Sequence, residues 1–178
     1  MQFKILPVDG IANGGELCVK GPNVMQGYYM PTNPGVLVPP EDGWYHTGDV
    51  VEIDEIGFFT IKDRIKRFAK IGGEMVSLNA VQDMVVDATK EMGPEYSYGV
   101  VSIPHESKGE QIVLVTNNEK VTSAMLHEYV KNNGMSELYL PRVILYHEKL
   151  PVFATGKADN VTLKKEVMAE LCSVENAA

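Results

Sequence analysis

The apolar residues of this 178-residue chain change their spacing once, near Ser77. Upstream, short apolar runs are broken every few residues by glycine, proline or acidic pairs, the pattern of strands and turns. Downstream, Val81, Met84, Val85 and Ala88 fall at i, i+3, i+4 and i+7, which is one face of a helix. Strands followed by helices and strands in alternation predict an α+β chain.

In the first part, residues 3–8 and 16–20 read as strands, the second entered through a Gly14-Gly15 turn. Residues 50–53 and 58–61 flank Asp54-Glu55-Ile56-Gly57, a hairpin signal. Pro31, Pro34, Pro39 and Pro40 make residues 30–42 a loop, because proline cannot continue a ladder. Two further short strands surround Gly72-Gly73. In the second part, Ser77 caps the first helix and Thr122 caps another, whose apolar face is Met125, Leu126, Tyr129 and Val130 and whose stop is Gly134. Residues 98–103, 111–116 and 142–147 read as strands. Asn160 caps a last helix carrying Leu163, Val167 and Met168. Two units follow: a β-rich piece, residues 1–65, and a compact α+β domain, residues 66–178. The first is too short for a complete domain and starts abruptly, as a piece cut from a larger one would.

Apolar content of 44% and charged content of 22% predict an ordinary buried core. The net charge of −8 argues against general nucleic-acid binding. No run approaches the roughly 20 apolar residues of a membrane span, and no signal peptide opens the chain. Cys18 and Cys172 stand at opposite ends, and His46, His105, His127 and His147 lack paired-ligand spacing, so buried or semi-buried free thiols and no metal site are expected. Met25, Met30, Met75, Met84, Met125 and Met168 are expected to fill core gaps. Tyr96, Tyr98, Tyr139 and Tyr146 are expected in sheet and interface packing.

One cationic island stands out against the acidic balance. Residues 62–77, KDRIKRFAKIGGEMVS, open with Lys62, Arg64, Lys66, Arg67 and Lys70 against a single acid, Asp63. Such an island suits phosphate or an acidic partner; a solvated strand face is the blander account. Asp49 ends the block WYHTGD at 44–49. A carboxylate there can accept bonds from both hydroxyls of a ribose, or simply close its own turn. Lys157 ends the block LPVFATGK at 150–157. Its ammonium can reach between a carboxylate and a phosphate, or sit solvated on a loop. Arg64 and Lys66 can equally belong to surface ion pairs.

Four ordered blocks, GELCVKGPNVMQGYY at 15–29, WYHTGD, KDRIKRFAKIGGEMVS and LPVFATGK, together resemble the adenylate-forming superfamily of acyl-CoA synthetases, luciferases and peptide-synthetase adenylation domains. The resemblance covers essentially the whole chain, but only the C-terminal third of such an enzyme. It implies that residues 1–65 are the β-rich end of the large AMP-binding domain and residues 66–178 the mobile C-terminal lid. It also implies Mg-ATP as cofactor, with no metal site in this chain. By resemblance Lys157 is the catalytic lysine of adenylation, and Asp49 and Arg64 bind the nucleotide. Lys66 is the hinge, and Arg67, Lys70, Gly72 and Gly73 form the thiol-acceptor or carrier-docking region. Asp63 departs from the family's glycine before the arginine. The wording KRFAKIGGEMVSL at 66–78, continued by SKGE at 107–110 and by residues 150–165, is similar to the bacterial bifunctional acyl-[acyl-carrier-protein] synthetase/2-acylglycerophosphoethanolamine acyltransferases. That likeness implies acyl carrier protein, or CoA, as acceptor, with fatty acid and lysophospholipid as substrates and no nucleic acid. It places the parent at the cytoplasmic face of the bacterial inner membrane. The family's phosphate loop, adenine block, acyl pocket and His-x4-Asp acyltransferase motif are missing, so the segment alone is expected to be soluble and inactive. Two other accounts compete: a piece of an acyl- or aryl-CoA ligase, and a non-catalytic carrier-docking module, which would need no Asp49, Arg64 or Lys157.

Overall fold

The computed structural model describes residues 1–175. They divide into two compact units, residues 1–67 and residues 68–175. Among the described residues no helix is long and apolar enough to cross a membrane.

The first unit contains β1 (Gln2–Leu6), β2 (Gly15–Lys20), β3 (Tyr28–Tyr29), β4 (Leu37–Val38), β5 (Tyr45–Ile53) and β6 (Phe59–Arg64). Four of them form an antiparallel sheet in the order β1-β2-β5-β6. The β5–β6 hairpin turns where expected: Asp54 Oδ1 accepts the N–H groups of Ile56 and Phe58 at 3.0 and 2.8 Å, and Gly57 adopts φ +91°. The proline-rich stretch is not wholly loop. Leu37 and Val38 pair with Tyr29 and Tyr28, and the prolines on either side keep this ladder to two residues. This unit buries Cys18, Val50 and Val51 but leaves Ile56, Phe58 and Ile61 at least 68% exposed.

The second unit contains β7 (Phe68–Ile71), β8 (Glu74–Ser77), α1 (Leu78–Thr89), β9 (Tyr98–His105), β10 (Gly109–Thr116), α2 (Ser123–Asn132), β11 (Val143–Tyr146) and α3 (Asn160–Glu175). Strand β10 is central. Its whole length pairs antiparallel with β9. Residues 113–116 pair parallel with β11, and Gly109 alone is in register with Ile71 of β7. Alternate residues of β9 and β10 point to opposite faces, and both faces are covered. Val100, Ile112 and Leu114 pack with α1 and α2 through Val81, Val85, Leu126 and Val130. Val101, Ile103, Val113 and Val115 pack with α3 through Leu163 and Val167. Burial on both sides explains why these strands read as continuous apolar runs rather than alternating ones.

The helix starts follow the sequence closely. Ser77 Oγ accepts the N–H of Ala80 at 3.1 Å, and Thr122 Oγ1 accepts that of Met125 at 3.3 Å. The third helix differs. Asp159, not Asn160, is its capping side chain: Oδ1 accepts the N–H groups of Val161 and Thr162 at 3.1 and 3.0 Å, and Oδ2 accepts the Thr162 hydroxyl at 2.7 Å. Among the methionines only Met84 is fully in the core, while Met25, Met30 and Met168 are 37–45% exposed. Of the tyrosines, Tyr98 and Tyr139 pack on the core, but Tyr146 is half exposed. Cys18 is buried as expected; Cys172, on the outer face of α3, is exposed.

Candidate functional site

Strand β5 breaks its register where WYHTGD ends. Glu16 pairs with Val50 and Cys18 with His46, so Leu17 alone on β2 faces Thr47, Gly48 and Asp49 on β5. A bulge of this kind bends the strand and re-aims its side chains. Gly48 takes φ +72°, a conformation that any β-carbon would strain. Three hydrogen bonds hold the bulge. The Thr47 hydroxyl donates to Leu17 O at 2.8 Å and accepts the Asp49 N–H at 3.1 Å. Glu16 Oε1 accepts the Gly48 N–H at 3.3 Å, and Glu16 Oε2 lies 2.9 Å from His46 Nδ1.

The bulge presents Asp49 to Arg64. These residues are register partners on β5 and β6, with Asp49 Oδ1 2.7 Å from Arg64 Nε. Arg64 Nη1 also donates to Thr47 O at 3.1 Å. The turn is closed by Thr47, so the Asp49 carboxylate is directed at the guanidinium and not at its own backbone. The arginine side chain is 65% exposed. A pair this open contributes at most about 1 kcal/mol, so stability alone is a weak reason to keep both charges there. Asp63 needs no glycine-like backbone. It is extended within β6, 5% exposed, and its Oδ1 accepts the Arg64 N–H at 2.7 Å.

The cationic island is less uniform than its sequence. Lys62 is bound to Glu52 at 2.5 Å. Lys66 is exposed in a single 3-10 turn, Ile65–Arg67. Arg67 is half-buried. Desolvation lowers the pKa of its guanidinium, against the opposing effect of the Asp63 carboxylate. Lys70 is exposed on β7, where its N–H donates to Glu110 Oε2 at 2.7 Å. Gly72 and Gly73, at φ +60° and +95°, form the two-residue turn between β7 and β8. Positive φ at both central positions is the geometry that matches strand twist. The turn is tied to the neighbouring β9–β10 turn by Gly72 N–H to Lys108 O at 2.9 Å. Lys70, Gly72, Gly73, Lys108 and Glu110 line a cleft of about 440 Å³.

Lys157 lies on a short hairpin between β11 and α3. Val152 and Ala158 bridge, Phe153 N–H donates to Lys157 O at 2.8 Å, and Gly156 turns the chain at φ +80°. The hairpin is fastened to α3 through Asp159, whose N–H donates to Pro151 O at 2.9 Å and whose carboxylate caps the helix. Lys157 itself is exposed.

The structure thus brings Asp49 and Arg64 together and gathers Lys70, Gly72 and Gly73 around one cleft. Arg67 is drawn inward, and Lys157 is not among that cleft's lining residues. Three supporting residues escaped the sequence reading. Glu16 supports the bulge from another strand, Glu110 joins Lys70 N–H to the Ser102 hydroxyl (2.8 Å), and Asp159 seats the lysine hairpin. Only the Asp159-x-x-Thr162 spacing, a capping pattern, was visible in the sequence.

No protein-family model matches the chain. A long-chain-fatty-acid–CoA ligase of Thermus thermophilus is 33% identical over 154 residues, covering 85% of this chain and 28% of the ligase. An oxalate–CoA ligase of Arabidopsis thaliana is 34% identical over 150 residues, covering 82% and 28%. Among solved structures, o-succinylbenzoate CoA synthetase of Bacillus subtilis, in complex with the acyl-adenylate intermediate OSB-AMP, aligns with a TM-score of 0.67 and 26% identity over 92% of this chain and 33% of that one. ATP-bound MatB of Rhodopseudomonas palustris aligns with a TM-score of 0.65 and 23% identity over 87% and 30%. The chain spans only 28–29% of the length of the first curated relatives it matches. Its α+β architecture is that of the C-terminal part of adenylate-forming enzymes, and its relatives are AMP-binding acyl- and aryl-CoA ligases.

Proposed function

We propose that this chain is the C-terminal segment of an ATP-dependent fatty acyl-[acyl-carrier-protein] synthetase coupled to 2-acylglycerophosphoethanolamine acylation. Residues 1–65 would close the large AMP-binding domain and residues 66–178 would form its lid. The observation that carries this reading is the Asp49–Arg64 pair, held 2.7 Å apart on a bulge that three side-chain hydrogen bonds maintain. The exposed Ile56, Phe58 and Ile61 suit a sheet that packs against further protein.

In the first half-reaction a fatty acid carboxylate oxygen attacks the α-phosphorus of ATP. The bond to pyrophosphate breaks and an acyl-adenylate forms. Mg²⁺ bound to ATP would neutralise the phosphates. Asp49 would accept the ribose hydroxyls, Arg64 would add positive charge beside them, and Lys157 would offset the repulsion between the two reacting anions. Rotation at Lys66 would then exchange the Lys157 hairpin for the Gly72-Gly73 turn. A phosphopantetheine thiol attacks the acyl carbonyl, AMP leaves with the bonding pair, and the thiol proton passes to solvent.

Acyl carrier protein, an acidic protein, suits the exposed Lys70 beside that turn, and Arg67, half-buried in the first unit, is the second basic residue proposed for it. The parent would then work at the cytoplasmic face of the inner membrane, supplying acyl groups for lysophospholipid. CoA bears the same thiol arm, and the CoA-ligase relatives favour it as a second reading. The test gives the parent enzyme fatty acid and Mg-ATP with either holo-carrier protein or CoA. Acyl-carrier product is expected; product with CoA alone would discard the carrier assignment. Lys157→Ala should lower pyrophosphate exchange at least about 100-fold, and normal exchange in that variant would remove Lys157 from the site. The 178-residue chain alone should show no exchange.

A further inference from the structure

We propose that Glu16, Cys18 and His46 form a binding site for one zinc ion, independent of the nucleotide chemistry above. Cys18 and His46 are directly opposed on β2 and β5, and Glu16 reaches the same point from across the bulge. Cys18 Sγ lies 3.5 Å from His46 Nδ1, which lies 2.9 Å from Glu16 Oε2, and the three ligand atoms all fall within 4.8 Å of one another. Bond lengths of about 2.3 Å to sulfur and about 2.0–2.2 Å to nitrogen or oxygen, at tetrahedral angles, separate such ligands by about 3.6 Å and about 3.3 Å. The Cys18–His46 separation already matches, the Glu16–His46 separation must open by about 0.4 Å, and the Cys18–Glu16 separation, at most 4.8 Å, lies within about 1.2 Å of the tetrahedral value.

The donor set selects the ion. A thiolate and an imidazole favour Zn²⁺ and disfavour Mg²⁺, which takes oxygen ligands. One thiolate and one carboxylate balance the charge of Zn²⁺. Cys18 is fully buried, while the His46 side chain is 48% exposed and that of Glu16 15% exposed. An ion would therefore enter past the imidazole and keep water as its fourth ligand. Binding forms one S–Zn bond and releases the Cys18 proton to solvent. Glu16 would ligate through Oε2 while Oε1 keeps the Gly48 N–H, so the metal would share a carboxylate with the bulge that carries Asp49. The sequence spacing hides this trio, because the ligands come from two strands and the register shift aligns them.

The test is a titration of the 178-residue protein with Co²⁺ under reducing, oxygen-free conditions, followed by displacement with Zn²⁺. We expect one Co²⁺ per chain, a thiolate-to-cobalt charge-transfer band that Zn²⁺ abolishes, and no competition from Mg²⁺. The band should vanish in Cys18→Ser and persist in Cys172→Ser. His46→Ala and Glu16→Gln, at positions still reached by solvent, should retain the wild-type circular dichroism and bind at least about tenfold more weakly. Absence of the band, its survival in Cys18→Ser, or unchanged Co²⁺ affinity in His46→Ala and Glu16→Gln would each overturn the site.

Discussion

Gly99 offers a direct test of how the lysine hairpin and α3 are seated. It is buried on β9, on the face covered by α3, and its backbone makes no demand for glycine. The demand is steric. A β-carbon at this position would lie 2.4 Å from Leu163 Cδ2 and 3.0 Å from Leu150 Cδ2. Leu163 is 2% exposed and packs with Val101, Val113 and Val167; Leu150 leads into the hairpin that bears Lys157. Gly99→Ala therefore forces two packed leucines to move, and overpacking of this sort costs about 1–3 kcal/mol. With a urea slope of about 2 kcal/mol per molar, a loss near the middle of that range lowers the unfolding midpoint by about 1 M. Far-UV circular dichroism would follow the whole chain. Fluorescence of Trp44, the only tryptophan and a residue of the first unit, should show that unit's transition unmoved. Leu163→Ala alone should cost about 2–5 kcal/mol. In the double variant the new methyl occupies part of the vacated space, so the combined loss should fall short of the sum by at least about 1 kcal/mol. A neutral Gly99→Ala, or strict additivity in the double variant, would refute the reasoning.

Three further outcomes follow from the same geometry. The Thr162 N–H, then the Thr162 hydroxyl and the Val161 N–H, hold the Asp159 carboxyl below its ordinary value of 3.8, with Lys165 assisting and desolvation opposing. A depressed carboxyl stabilises the fold above its unfolded pKa and loses that contribution as pH falls through the folded one. Urea midpoints of the wild type should thus drop below about pH 4 more steeply than those of Asp159→Ala; parallel pH profiles would count against the cap. At the β7–β8 turn nothing lies within 4 Å of a β-carbon on Gly72, so only backbone conformation decides. Gly72→Asn should be neutral within about 0.5 kcal/mol, while Gly72→Val should cost over 1 kcal/mol in urea unfolding. With a colorimetric thiol reagent, Cys172 should react at once in the native protein and Cys18 only after denaturant is added; two fast thiols would contradict the burial of Cys18.

Features set by neighbours in the sequence were legible, and those set by neighbours across the sheet were not. Ser77 and Thr122 bond their own helix turns, so a local rule finds them. Gly72-Gly73 and 54–57 mark turns for equally local reasons. Asn160 was the wrong cap because two adjacent residues could serve and only packing of the hairpin chose Asp159. Asp49 and Lys157 were identifiable as candidates from their blocks. What seats Asp49 was not, because Glu16 acts from 33 positions away through a register shift. The withdrawal of Arg67 was equally hidden: a basic run gives charge, but Asp63 and local burial decide which members face solvent. The exposed methionines fail for the same reason, since residue type carries no direction.

The central strand of the second unit also has a temporal meaning. One edge of β10 pairs with β9 across a short turn, and the other waits for β11, which arrives only after α2. Loop closure is cheap for the first pairing and slower for the second. The β9–β10 hairpin is therefore the natural starting point of folding, and β11 joins it late. Because α3 packs against β9 and against residues flanking β11, the helix that anchors Lys157 can dock only when both edges are in place. The lysine hairpin would be among the last parts of the unit to reach its native position. Chains truncated after β11 should hold all five strands of the sheet but lack the seated lysine hairpin and α3, while the Thr47–Asp49 bulge of the first unit should keep its own hydrogen bonds.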